Sequence, residues 1–345
     1  MARLIACVFL ILGMVTAMDR SLAAALGSLL LKSQDRFIAL YRPDTAPADV
    51  VILGNSRADN HFPPDTVAKL ACGSTVNLGM GGAPTVVSAA LWEDYLDRHP
   101  APKLLILEPT SIEDDPAVLA DAPMLSTYSP RIDALVRQAD ANQWAWNQAF
   151  HLLTFNSNQT LRLMAGMLSE GSRDRTLDGV MSAAQKAQLD RAPEEVWDMY
   201  PANLAALDRI IATAQSRGVT VAVAITPLYG PLAAKIRNYD DFFATLAAHM
   251  PPGVTVLDLR GTATAEEQFT DPMHINRAGV ERMMTALADP LHRLGCGEPG
   301  GMIARLPAAP LTPAPISPAP ISPASAVAQY SPPVPTVAAA GGGAP

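Results

Sequence analysis

A serine hydroxyl becomes a useful nucleophile only when a base takes its proton, and a histidine is that base only when a third group fixes its tautomer. Three short segments of this chain hold the residue types for such an arrangement. Gly54-Asn55-Ser56-Arg57 follows the apolar run Val50 to Leu53, which places Ser56 where a strand turns into a helix, with backbone N–H groups at hand for a developing oxyanion. In Asp271-Pro272-Met273-His274 the carboxylate stands three residues before the imidazole, so it can bond one ring nitrogen and leave the other facing a nucleophile. Asn77-Leu78-Gly79-Met80-Gly81-Gly82 follows a second apolar run, and glycine there lets the backbone approach a ligand closely. Its spacing is not that of the GxGxxG dinucleotide loop. Each segment alone has a plainer explanation: a polar turn, a tight loop, a capping Asp beside an exposed His. Their combination is what points to chemistry.

The elements that must position these residues can be read from the apolar pattern. Val50 to Leu53, Ser74 to Leu78, Lys103 to Leu107, Val219 to Ile225 and Val254 to Leu259 are short, predominantly apolar runs rich in β-branched residues, as expected of buried parallel strands. Helices are expected between them, over Pro64 to Ala71, Thr85 to Arg98, Glu195 to Arg217, Pro231 to His249 and Arg277 to Leu294, with Gly218 and Gly295 as helix stops. Strands alternating with helices predict a doubly wound α/β fold with a five-stranded parallel sheet and a site beyond the carboxyl ends of the strands. Residues 108–194 break the rhythm. They hold helical pieces (Arg131 to Leu153, Thr160 to Leu168, Asp178 to Asp190) and read as a helical cap inserted into an α/β domain spanning 50–295. Trp144, Trp146, Phe150 and Phe155 of this cap either line a groove for sugars or acyl chains or pack the cap itself.

The ends differ from the middle. Arg3 precedes fifteen uncharged residues, Leu4 to Met18, and a helical pattern resumes from Ser21 to Leu31. Residues 1–33 therefore read as a signal anchor or a cleaved signal peptide, the alternative being a buried core helix, with a linker over 34–49. Either export reading places the domain outside the cytoplasm: periplasmic or extracytoplasmic and anchored in the inner membrane, or secreted. Cys7 lies inside the apolar run at the wrong place for a lipidation site, which leaves Cys72 and Cys296, either joined in an oxidising compartment or two separate buried thiols. Residues 307–345 carry no charge and eleven prolines, the composition of a disordered tail.

Composition excludes some functions. Lys and Arg number 25 against 33 Asp and Glu, for a net charge of −8 without a basic cluster, which argues against a nucleic-acid partner. His61, His99, His151, His249 and His292 show no metal-ligand spacing, so neither a metal nor another cofactor is expected. Glu113, Asp114, Asp115 and Asp121 read as a solvated acidic loop entering the cap. Arg57, Asn55 and Glu108 are candidate substrate contacts, Arg57 toward a carboxylate or sugar hydroxyl unless it is paired within the fold.

Together, Ser56 in its Gly-x-Ser turn, Gly79 after the second strand and Asp271-x-x-His274 before the last helix resemble three of the sequence blocks of the SGNH (GDSL-like) hydrolases, over roughly Val50 to Leu294. The resemblance implies Ser56 as nucleophile, His274 as base, Asp271 as its orienting partner, and the N–H groups of Ser56 and Gly79 as oxyanion donors. Two features depart from the family: Asn55 stands where an Asp is usual, and Glu108-Pro109-Thr110-Ser111 replaces the Gly-x-Asn-Asp expected after the third strand, leaving a third oxyanion donor unassigned. Gly-Asn-Ser-Arg with Asp-Pro-Met-His-Ile-Asn more closely resembles membrane-anchored members that acylate envelope polymers, such as the alginate O-acetylation proteins and the D-alanyl-transfer protein of teichoic acids. The expected function is thus a Ser-His-Asp O-acyltransferase or esterase acting on an envelope or exported polysaccharide through an acyl-serine. Its partners would be an acyl donor, a polysaccharide acceptor, the membrane and a membrane-bound O-acyltransferase. The alternatives are a non-catalytic polysaccharide-binding or scaffold protein of an export complex, and a free lipase or carbohydrate esterase.

Overall fold

A computed structural model of the chain describes residues 1–32, 36–156, 160 and 176–297. The tail expected over 307–345 and most of the helical piece expected over 160–168 lie outside the described residues. In chain order the elements are α1 (Ala2–Leu30), α2 (Arg36–Ala39), β1 (Val50–Leu53), α3 (Ser56–His61), α4 (Pro64–Leu70), β2 (Thr75–Asn77), α5 (Thr85–Arg98), β3 (Leu104–Leu107), α6 (Pro130–Ala139), α7 (Ala141–Ala149), α8 (Ala183–Arg191), α9 (Pro201–Ser216), β4 (Thr220–Ile225), α10 (Gly230–Ala233), α11 (Tyr239–His249), β5 (Val254–Asp258), the short strands β6 (Phe269–Asp271) and β7 (His274–Ile275), and α12 (Arg277–Gly295).

The five apolar runs form one parallel sheet in the order β2-β1-β3-β4-β5, with Ile52 beside Asn77 on one side and Ile106 on the other. This is the flavodoxin-like order, in which the chain reverses direction at β1 and β3 and leaves a crevice at their carboxyl ends. Val50 to Leu53 and Leu104 to Leu107 are buried on both faces because side chains alternate. Val51, Leu53, Leu105 and Leu107 pack into one core, which also takes side chains of α5, α9 and α11. Val50, Ile52, Leu104 and Ile106 pack into a second core, shared with α3, α4 and α12.

Several boundaries fall elsewhere than the apolar pattern predicts. The helix expected from Glu195 begins at Pro201, because Glu195 instead pairs by backbone with the segment around Ile236. That same pairing splits the helix expected over Pro231 to His249 into α10 and α11. Asp140 breaks the long cap helix: its side chain accepts from Asn142 and Gln143 N–H and starts α7 afresh. Gly218 does stop α9, with φ of 73° and the paired Gly218 to Gln215 and Val219 to Ala214 bonds of a Schellman motif. Gly295 is not a stop. It is the last residue of α12, where its missing side chain lets the helix lie directly on Ala71. Beside that contact Cys72 and Cys296 form a disulfide, with Cα atoms 5.1 Å apart, tying the end of α4 to the end of α12.

The N-terminal segment is one continuous helix, long and apolar enough to cross a membrane, which fits a signal anchor or signal peptide. Ala2 to Met18 are exposed, but Asp19, Ala23, Gly27 and Leu30 are buried in a single stripe against the domain. The core-helix reading therefore describes its second half, while its exposed first half fits a signal anchor or a signal peptide alike. Of the cap aromatics, Phe155 is buried and Trp144 is half-buried, donating its indole N–H to Asp133, while Trp146 and Phe150 are exposed.

Candidate active site

Ser56 is the first residue of α3, directly beyond the carboxyl end of β1. Asn55 caps that helix, its Oδ1 accepting from the Arg57 N–H at 3.0 Å, so the serine hydroxyl projects from a fixed helix start and not from a mobile loop. Asp271 ends β6 and His274 opens β7, on opposite sides of a tight antiparallel turn. Asp271 Oδ1 accepts from the backbone N–H of Met273 (2.8 Å) and of His274 (3.0 Å), and this locks the carboxylate across the turn.

The result is a continuous relay. His274 Nδ1 lies 2.9 Å from Asp271 Oδ2 and 3.0 Å from Oδ1, and His274 Nε2 lies 2.8 Å from Ser56 Oγ. Burial pushes the Asp271 carboxyl up, but the hydrogen bond and charge of His274 and the two backbone donors outweigh it and hold the group below the usual carboxylate range. An ionised Asp271 keeps the proton on Nδ1 and the lone pair on Nε2, toward the serine.

A second histidine, which sequence reasoning counted only as a non-metal residue, stands behind the first. His61 is fully buried, its ring meets that of His274 edge-on at 5.9 Å, and its Nε2 accepts from the Ile275 N–H at 3.2 Å. Burial, then the charges of His274 and Arg57, push His61 well below its ordinary value, so it stays neutral and braces the turn that carries His274. Its position at the end of a six-residue helix that begins with the serine was the available signal.

The remaining candidates divide. Gly79 lies close to α3, but its N–H donates to the buried Asn77 Oδ1 at 2.8 Å and so cannot also meet an oxyanion. A side chain at Gly79 would strike the Asp59 nitrogen and Ala58, whereas the nearest atom to a side chain built on Gly81 is Ser56 Cβ, 3.9 Å away. Gly81 is thus the loop residue that faces the serine. Its N–H and that of Ser56 donate to no group among the described residues. Glu108 is buried, its carboxylate taken by Thr110 Oγ1 (2.5 Å) and Thr226 Oγ1 (3.3 Å), which removes it from substrate contact.

Arg57 is only 1% exposed, and its guanidinium forms no hydrogen bond among the described residues, lying instead 5.8 Å over the Trp197 ring. It therefore neither reaches out to substrate nor forms the close ion pair that was its alternative. Around it sit Glu113 and Asp114, which are partly buried, not the solvated acidic loop expected. Burial pushes the Glu113 carboxyl up, with Asp114 adding to the effect and Arg57 opposing it. Asp114 is also pushed up by burial, against the pull of Arg57 and a hydrogen bond from Asn55. Asn203 fixes this segment, its side-chain N–H groups reaching the carbonyls of Ser111, Ile112 and Asp114. Among the described residues the one grouping with metal-ligand proximity is Cys72, His292 and Cys296, whose two sulfurs are spent in the disulfide.

No protein-family model matches the chain, and no curated protein matches it. Solved structures of similar outline include a Streptococcus pneumonia protein provisionally described as a platelet activating factor (15% identity, TM-score 0.39, covering 80% of this chain and 99% of that one). Others are a Desulfitobacterium hafniense protein provisionally described as a lipolytic protein of the G-D-S-L family (10%, 0.36, 70% and 97%) and a GDSL-like lipase from Bacteroides thetaiotaomicron (8%, 0.33, 71% and 87%). At such identities and TM-scores these likenesses carry no argument about the chemistry, which rests on the geometry above.

Proposed function

We propose that this chain is an extracytoplasmic, membrane-anchored serine acyltransferase or esterase that works through an acyl group on Ser56 and acts on an envelope or exported polysaccharide. The observation that carries the reading is the unbroken Ser56, His274, Asp271 relay at the carboxyl edge of the sheet. In this mechanism His274 Nε2 takes the proton of Ser56 Oγ as the oxygen attacks the acyl carbonyl, and the resulting imidazolium is stabilised by ionised Asp271. The N–H groups of Ser56 and Gly81 are the donors assigned to the tetrahedral oxyanion, Gly81 replacing Gly79 for the reason given above. His274 then protonates the leaving oxygen. Water or a sugar hydroxyl, deprotonated by the same imidazole, resolves the acyl-enzyme, giving hydrolysis or transfer. Transfer outside the cytoplasm needs an acyl donor delivered across the bilayer, and a membrane-bound O-acyltransferase is the partner this reading assigns to that step.

Intact-protein mass spectrometry of the full chain after exposure to p-nitrophenyl acetate tests the acyl-enzyme. One acetyl adduct is expected, absent in Ser56→Ala and His274→Ala. An adduct that survives both substitutions, or no adduct and no p-nitrophenol from folded protein, would remove the enzyme reading and leave the scaffold alternative.

A further inference from the structure

The exposed half of α1 ends where the helix is bonded to the turn that directly follows the exposed aromatics of the cap. Residues 2–18 form about 26 Å of helix, close to the roughly 30 Å hydrocarbon core of a bilayer. At the next residue the helix stops being free. Asp19 accepts from the backbone N–H of His151 (2.7 Å) and Leu152 (3.1 Å), capping from a distance the 3-10 turn His151–Phe155. Arg20 meets the His151 ring, and the Tyr128 hydroxyl donates to the Gly27 carbonyl at 2.8 Å, where any side chain on Gly27 would strike it. The height of this turn relative to the apolar helix is therefore fixed at the point where the helix would leave the bilayer.

On that turn and on α7 just before it, large apolar side chains face outward. Trp146 is 60% exposed, Phe150 41% and Leu153 42%, with the Trp146 and Phe150 rings stacked at 6.1 Å, and Leu22 of α1 is exposed as well. Exposed apolar clusters mark interaction surfaces, and aromatic rings in particular concentrate at the headgroup level of membranes. We propose that Trp146, Phe150, Leu153 and Leu22 form a bilayer seat: they insert into the interfacial layer of the membrane that α1 crosses and hold the catalytic domain against it. The inference rests on α1 being a retained anchor, and the stripe Asp19, Ala23, Gly27 and Leu30 buried in the domain supports retention.

The test uses the full chain in nanodiscs of phosphatidylcholine and phosphatidylglycerol whose acyl chains are brominated near the headgroup, beside Trp146→Phe, which keeps an aromatic ring and leaves the fold unchallenged. The emission lost on making Trp146→Phe, measured in unbrominated discs, is the Trp146 signal. We expect brominated lipid to quench that signal at least twofold more than the emission that remains in the variant. Equal or absent quenching, in chain that stays with the discs and whose intact mass retains residue 1, would overturn the seat while leaving the anchor standing. A mass lacking the N-terminal residues, with protein released from the discs, would overturn both, so the two failures are distinguishable.

Discussion

Replacing Asp271 by Asn changes one atom and leaves the turn's shape intact, so its effect can be worked through atom by atom. Oδ1 is held by two backbone donors, Met273 N–H and His274 N–H, and must remain an oxygen. The new amide nitrogen therefore takes the Oδ2 position, 2.9 Å from His274 Nδ1, and presents a donor where an acceptor stood. His274 answers by carrying its proton on Nε2, which then points a hydrogen at Ser56 Oγ and cannot accept one. In serine triads this tautomer reversal costs about 10⁴ in rate, or about 5.5 kcal/mol of transition-state stabilisation. The assay is the rate of acetyl-Ser56 formation from p-nitrophenyl acetate, with thermal unfolding to confirm that Asp271→Asn folds like the parent. Asp271→Ala, which leaves Nδ1 to water, should be no slower than Asp271→Asn. If Asp271→Asn acylates within tenfold of the parent, the relay is not how Ser56 is activated.

Four further outcomes follow from the same geometry. Gly79→Ala should lower stability, because its methyl group meets backbone at Asp59, whereas Gly81→Ala should fold normally and slow acylation, which unfolding and rate measurements on the pair will separate. Because the Glu113 carboxyl is pushed above the usual range, the stability it contributes is full below the ordinary carboxylate value and is lost as pH rises through the raised one; Glu113→Gln should therefore flatten the fall in melting temperature between about pH 5 and pH 9. Asp19→Ala removes the acceptor of two N–H groups and should cost about 1–3 kcal/mol locally, seen as roughly 5- to 150-fold faster hydrogen exchange at His151 and Leu152. Changing Cys72 and Cys296 to Ser opens a link across 224 residues and should lower the denaturant-derived stability by up to about 5 kcal/mol, with no effect of reductant on the variant.

The centre of the sheet was legible because β1, β3 and most of β4 are buried on both faces and read as apolar runs such as Val50 to Leu53 and Val221 to Ile225, whereas the edge strands β2 and β5 are only half-buried and carry polar residues. The pairing of Ser56 with Asp271 and His274 was legible because the order of the segments along the sheet edge brings residues 218 positions apart together. What stayed hidden depended on side-chain commitments that spacing does not encode. Gly79 looked free until Asn77 claimed its N–H, and Glu108 looked available until Thr110 and Thr226 took its oxygens. Similarly, the break at Asp140 and the split between α10 and α11 came from local capping and from a backbone pairing with Glu195, neither of which leaves a trace in apolar periodicity.

The disulfide shortens the path between the two halves of the site. Along the backbone Ser56 and His274 are separated by 218 residues, but through the Cys72 to Cys296 bond the route is sixteen residues on one side and twenty-two on the other. By loop-closure entropy that shortening is worth about 1.5 kcal/mol, roughly a tenfold gain in the effective concentration of imidazole at the hydroxyl whenever the intervening chain loosens. Oxidation of one thiol pair thus makes the hydroxyl and its base near neighbours in the covalent structure itself, a tie that persists wherever the surroundings keep thiols oxidised.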